Sequence, residues 1–259
     1  MLVHIDGFDS YSTGSDLAFQ YTSTSFPTVG TNLGRFGQGA ITSNSYRNYI
    51  TKIFSAPVTE IWTGFALNLS GNSTQYVILS IVSNSGIETT LNYNTTTNVI
   101  AAYRGDATTQ IGTSAVTPLN NTGWHYIEFH YKISSSVGIV EVWVDDRVIF
   151  TNTGQNTTQY ANTSFTSIWL GGDGNNAVAA TFDDWYVLDP TQGAFNTTRL
   201  GDSRIQTLRP ASDAGPNNGT PSTGSAHYAM VNAPQNDGGS TYITLTGASG
   251  QEELFGITA

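Results

Sequence analysis

The sequence predicts an all-β protein, a two-layered β-sandwich followed by an extended C-terminal segment rich in Pro and Gly, and three observations carry that prediction. First, Ile127, Phe129, Tyr131 and Ile133 alternate with polar Glu128, His130 and Lys132, and Val140, Val142 and Val144 alternate with Glu141 and Trp143. A period of two buries one face of a strand. Second, the 259 residues include 12 Phe, 13 Tyr and 5 Trp but only 11% charged residues. That composition suits strands and turns and is poor in the residues that fill helices. Third, short strand-like runs recur at about ten-residue spacing between turn signals, the rhythm of a sandwich.

Taken in order, Met1 to Asp6 opens as a strand-like alternation with neither a basic segment nor a long apolar run behind it, so no secretion signal is expected. Residues 7–33 read as a turn and a long surface connection. Gly34, Gly37 and Gly39 around Phe36 suit close strand approach or a bulge; no helix pattern follows to make a phosphate loop. From Tyr46 to Leu69 two strands are expected, separated at Ser55-Ala56-Pro57. In the second, Ile61, Thr63, Phe65, Leu67 and Leu69 share one face, and Glu60, Trp62, Gly64 and Asn68 the other. Gln75 to Ser83 is apolar on both faces and reads as a central strand. Ile87 to Tyr93, Val99 to Arg104 and Gln110 to Ala115 continue as short strands. Gly123 to Phe150 reads as a three-strand meander whose second turn, Asp145-Asp146, demands left-handed backbone. Phe165 to Gly171 is a further strand. Gly171 to Asn176 is a turn, or alternatively a weak calcium loop through Asp173 and Asn175 that lacks carboxylates. Phe182 to Leu188 closes the sandwich.

At Asp189-Pro190 the character changes. Five of the eight prolines (Pro190, Pro210, Pro216, Pro221, Pro234) fall in the last 70 residues, among Gly, Asn and Ser. Such a segment builds little core of its own. The expected division is a sandwich over 1–189 and an extended arm over 190–259, lying along the sandwich or a neighbouring subunit, or loose.

Nine basic residues against 19 acidic give a net charge of −10, which argues against a nucleic-acid partner. No run approaches the ~18 apolar residues of a membrane span, so no membrane insertion is expected. The absence of cysteine excludes disulfides and thiolate metal sites and fits assembly in a reducing cytoplasm. His125 and His130 are too far apart, on opposite faces, to chelate one ion, no G-x-S-x-G elbow occurs, and no cofactor or metal is expected. The Asn-x-Ser/Thr triplets at Asn72, Asn94, Asn156 and Asn196 are chance matches in an Asn/Thr-rich chain. The surface that stands out is the outward face of the meander, with Tyr126, Glu128, His130, Glu141 and Trp143. Aromatic and polar groups on a sheet face stack on and hydrogen-bond a sugar, making Tyr126, His130 and Trp143 candidate glycan contacts. The competing reading buries this face under the second sheet's edge or a subunit partner.

Trp124 at the head of its strand, the hairpin that follows, and Val142 to Asp146 before a short apolar strand resemble laminin-G and concanavalin A-like jelly rolls. Gly34-Arg35-Phe36-Gly37-Gln38-Gly39, Ile168 to Gly171 and Phe182 to Asp189 extend the resemblance over roughly residues 1–189. It implies a concanavalin A-like jelly-roll β-sandwich and says little of function. Glucanases of that kind carry E-x-D-x-x-E on one strand; here Glu141-Val142-Trp143-Val144-Asp145 has Trp143 at the middle acidic position and lacks the final Glu. Legume-type lectins place an acidic metal ligand where His130 stands. Leu200 to Pro210, Thr220 to Ala229 and Ser240 to Ile243 resemble the tail that follows the jelly roll in tailed-phage virion proteins. That resemblance implies a non-enzymatic virion structural protein, a head decoration or tail-fibre component assembled in the host cytoplasm. Its partners would be other capsid or tail proteins and further copies in a homo-oligomer. A glycan-binding module that recognises a host-surface receptor is the alternative, and a polysaccharide depolymerase a third reading.

Overall fold

The computed structural model describes the chain except residues 24, 45–47, 70–74, 108, 116–118, 120–122, 173–179, 194, 234–238, 248–250 and 259. In chain order the strands are β1 (Leu2–Asp6), β2 (Thr28–Gly30), β3 (Ala40–Ser43), β4 (Asn48–Val58), β5 (Glu60–Leu69), β6 (Gln75–Ser83) and β7 (Gly86–Asn94). There follow β8 (Val99–Arg104), β9 (Thr109–Thr113), β10 (Trp124–Lys132), β11 (Gly138–Val144), β12 (Arg147–Gln155), β13 (Phe165–Gly172) and β14 (Ala180–Leu188). Beyond them lie β15 (Arg209–Asn217), β16 (Thr220–Pro221), β17 (Ile243–Thr244) and β18 (Glu253–Thr258). One antiparallel sheet runs β12-β11-β10-β5-β14-β3-β2, with β1 also on β14; the other runs β4-β13-β6-β7-β8-β9. The protein is a jelly-roll β-sandwich, as the sequence predicts.

The alternation explains the layering. Ile127, Phe129 and Tyr131 on β10 and Val140, Val142 and Val144 on β11 are fully buried between the sheets, packed in one cluster with Phe65, Tyr76, Leu91, Phe165 and Trp185. Each such side chain contributes about 1.5–3 kcal/mol on leaving water. The turn between β11 and β12 has φ of 49° at Asp145 and 61° at Asp146, the left-handed pair that a two-residue hairpin needs.

Two local expectations are corrected. Ser55-Ala56-Pro57 do not separate two strands: β4 continues to Val58. It is the edge strand, and its pairing with β13 jumps from Val58↔Phe165 to Ile53↔Ser167, so Pro57 falls in an irregular stretch at a sheet edge, where a missing N–H is tolerated. Nor is the connection after β1 merely superficial. Phe8, Leu17 and Tyr21 are buried in the main core, and Asp6 accepts hydrogen bonds from the Tyr11 and Tyr21 hydroxyls at 2.7 and 2.6 Å.

β14 is broken by a bulge. Its register against β5 shifts between Asp183 and Tyr186, with Asp184 at φ 51°. The outer edge is thereby divided: Ala180 to Phe182 pair with β3, and Trp185 to Leu188 pair with β1. At the break, the Asp183 carboxylate accepts the Arg35 N–H at 2.8 Å and the Asp184 carboxylate accepts the Ile205 N–H at 2.6 Å. The glycines of the Gly34–Gly39 loop allow this close approach, since a Cβ on Gly34 would come within 2.9 Å of the Asp183 carboxylate.

Residues 199–207, a strap, cross the outer face of the eight-stranded sheet. Ile205 packs there with Trp62, Ala66, Tyr126, Tyr186 and Leu188, a second apolar cluster distinct from the inter-sheet core. Beyond the strap, β15 pairs with β18 and β16 with β17.

Candidate functional site

Register places the outward side chains of four neighbouring strands in rows. One row runs Leu188, Trp62, His130, Glu141 from β14 to β11; the next runs Tyr186, Gly64, Glu128, Trp143. Gly64 lets the second row lie flat, because a Cβ there would meet the Tyr186 ring at 2.3 Å and the Tyr126 ring at 3.0 Å.

In the first row the His130 imidazole stacks on Trp62, with centroids 4.3 Å apart and planes at 11°. Its Nε2 lies 2.9 Å from Glu60 Oε1 and its Nδ1 3.5 Å from Glu141 Oε2. Two carboxylates therefore bracket one ring. Glu60 also pairs with Lys132 at 3.5 Å, while Glu141 Oε1 accepts the Trp143 indole N–H at 2.6 Å.

In the second row Glu128 is buried, and its partners compensate that burial. The Tyr186 hydroxyl donates to it at 2.5 Å, the Gly201 N–H at 2.8 Å and Arg199 Nη1 at 2.5 Å. Arg199 Nη1 also reaches Asp146 at 2.7 Å, and the guanidinium lies over the Trp143 ring, 3.9 Å from its centroid. Such a contact contributes about 0.5–2 kcal/mol. The Leu200 N–H donates to the Tyr186 hydroxyl at 3.1 Å. Burial and the neighbouring Glu128 charge push the Tyr186 hydroxyl far above its ordinary range, so it remains a donor rather than a base.

Where the strap stops, an open pocket of ≈ 440 Å³ remains, lined by Trp62, Glu141, Trp143, Thr198, Arg199, Leu200 and Gly201. Of the three residues singled out from the sequence, Trp143 lines this pocket. His130 lies beneath it, 8% exposed, linking Trp62 to Glu141. Tyr126 does not reach it: it is 1% exposed, its hydroxyl donates to the Asp184 carbonyl at 3.0 Å, and the Arg35 guanidinium lies 5.5 Å from its ring centroid. Within the chain the cover comes not from the second sheet but from residues 199–207, part of the C-terminal segment for which a course along the sandwich is one of the expected alternatives. Sequence reading passed over Trp62 and Glu60. Both stand on the outward side of the β5 alternation, and only the register shows that this side continues the β10 face. The loop residues Asp173 and Asn175, considered for calcium, lie outside the described residues.

Under the strap, burial and mutual repulsion hold Asp183 at about 7, while burial, partly offset by the Ile205 N–H and Arg35, holds Asp184 at about 6. Arg35 bridges Asp184, at 3.9 Å, and the strap's Asp202.

No family model and no curated protein matches this chain. Solved structures resemble it at the level of the fold. An alginate lyase in complex with an alginate trisaccharide aligns with TM-score 0.50 at 11% identity, covering 71% of this chain and 97% of that one. An endo-β-1,4-glucuronan lyase from the fungus Trichoderma reesei aligns at 0.46 and 15% identity, over 65% and 89% of the two chains. The carbohydrate-binding module CBM66 from Bacillus subtilis aligns at 0.42 and 10% identity, over 68% and 96%. These findings correct two expectations. The reading as a purely structural virion component and the assignment of no enzymatic activity both give way, because the sandwich is shared with an alginate lyase. At such identities the likeness is of fold alone.

Proposed function

We propose that this chain binds a glycan in the pocket between Trp62, Trp143 and the end of the strap. The observation that carries the reading is the coupling of Trp143 to Glu141: an indole rim and a carboxylate, locked together at 2.6 Å on a rigid sheet at the mouth of a ≈ 440 Å³ pocket. The carboxylate accepts hydroxyl hydrogens, the indole packs against sugar C–H groups, and the pocket volume falls within the range of small-ligand sites. Support from the fold is coarser: an alginate lyase of this architecture holds an alginate trisaccharide, which bears on saccharide binding by the fold and not on the charge of the sugar bound here. Calorimetric titration with a panel of oligosaccharides tests the reading. Trp143→Ala should weaken binding at least tenfold while leaving the circular dichroism spectrum unchanged; affinity indifferent to this substitution would refute the site.

The bracketing of His130 by Glu60 and Glu141 favours a second reading, cleavage of the bound glycan. The two carboxylates contact opposite ring nitrogens of His130 at 2.9 and 3.5 Å, so the imidazole fills the space between them and Glu141, the one that lines the pocket, is the carboxylate that would meet a glycosidic bond. Release of reducing ends that disappears in Glu141→Gln would support it, and unchanged release would exclude that carboxylate.

A further inference from the structure

We infer that the pocket selects uncharged saccharides over uronates of the same linkage, an inference that rests on the glycan-binding reading above. The charges around the pocket point one way. Glu141 lines it, Glu128 stands in the row of Trp143, Glu60 reaches His130 from the row beyond, and Asp146 meets Arg199 at its rim. Against these four carboxylates stand Arg199 and Lys132, with His130 held between Glu60 and Glu141. Both cations already face carboxylates: Arg199 Nη1 bonds Glu128 and Asp146, and Lys132 Nζ lies 3.5 Å from Glu60, so their charge is balanced before a ligand enters. The nearby Arg35 is likewise committed to Asp202 and Asp184.

A sugar carboxylate entering here would be a third anion on Arg199 and would face Glu141, whose oxygens are pure acceptors when ionised. It would bring no donor for Glu141 and would add like-charge repulsion in a partly desolvated site. A primary hydroxyl at the same carbon donates to Glu141 instead. The chain's net charge of −10 opposes the approach of a polyanion from a distance as well.

Matched pairs that differ only at C6 isolate this effect: β-1,4-linked glucose against glucuronate hexamers, and the corresponding mannose/mannuronate and galactose/galacturonate pairs. Titrated into the full chain at low salt, the neutral member of the bound pair should bind at least tenfold tighter, with the gap narrowing as salt rises. Asp146→Asn should narrow it further without loss of the neutral ligand. A uronate that binds as tightly as its neutral partner overturns the selectivity while leaving glycan binding intact. Failure of every member of every pair to bind overturns the glycan reading itself.

Discussion

Asp183 and Asp184 occupy adjacent positions at the bulge of β14, both nearly inaccessible, and both hold their protons more tightly when folded than in an unfolded chain, where a carboxyl titrates near 4. The folded state therefore carries more protons than the unfolded state between about pH 4 and 7. Their contribution to stability is fully present below that window and is lost as pH rises through about 6 and 7. Glu88 acts in the opposite sense. Burial raises its pKa, but hydrogen bonds from Asn162, Ser83, Gln159 and Thr158 outweigh burial and hold it below the usual range, so its contribution is lost in acid. Burial holds His4 at about 3, so its contribution is lost as pH falls and partly offsets the aspartates. Thermal melts should still show higher Tm at pH 5 than at pH 8, and Asp183→Asn should flatten that difference, whereas a Tm that climbs steadily from pH 5 to 8 in the native chain would contradict the assignment. The Asp-Asp pair is plain in Phe182-Asp183-Asp184-Trp185. Its burial is not, because two adjacent residues on a regular strand point to opposite faces, and only the bulge and the strap bring both under cover.

At the scale of the element, the strands were legible and the strap was not. Alternation on β10 and β11 announces which side chains enter the core, and Asp145-Asp146 announces the hairpin between β11 and β12. The strap is held by side-chain contacts of Arg199, Asp202 and Ile205 and also through backbone N–H groups of Leu200, Gly201 and Ile205, which donate to Tyr186, Glu128 and Asp184. Backbone donors are the same at every non-proline residue and leave no mark in a sequence. The same gap explains why Glu128 and Tyr126 read as surface residues and are found buried. Removing residues 199–259 should leave a sandwich that still unfolds cooperatively, because the inter-sheet core does not depend on them. It should also uncover the cluster of Trp62, Ala66, Tyr126, Tyr186 and Leu188, raising the fluorescence of a hydrophobic dye. No rise would mean that the strap does not cover this face in solution.

For the whole molecule, the sandwich has two apolar layers rather than one: the core between the sheets and a thinner layer between one sheet and the returning chain. Composition and rhythm sufficed for the first. The candidate site belongs to the boundary of the second, where the strap ends and leaves Trp62, Glu141 and Trp143 around an open pocket. Trp143 was identifiable from its place in the β11 alternation; its partners come from β5 and the strap, 81 and 56 residues away along the numbering, and required the register to be known. Nuclear magnetic resonance of the five indole N–H groups tests this arrangement most directly. Trp143 donates to Glu141, whereas Trp185 donates to Thr63 inside the core and Trp169 stacks on Tyr49 in the opposite sheet. On titration with a neutral oligosaccharide, the account predicts that the Trp143 signal moves most while those of Trp185 and Trp169 stay in place. A ligand that shifts Trp169 and leaves Trp143 unmoved would show that the glycan surface lies on the other sheet.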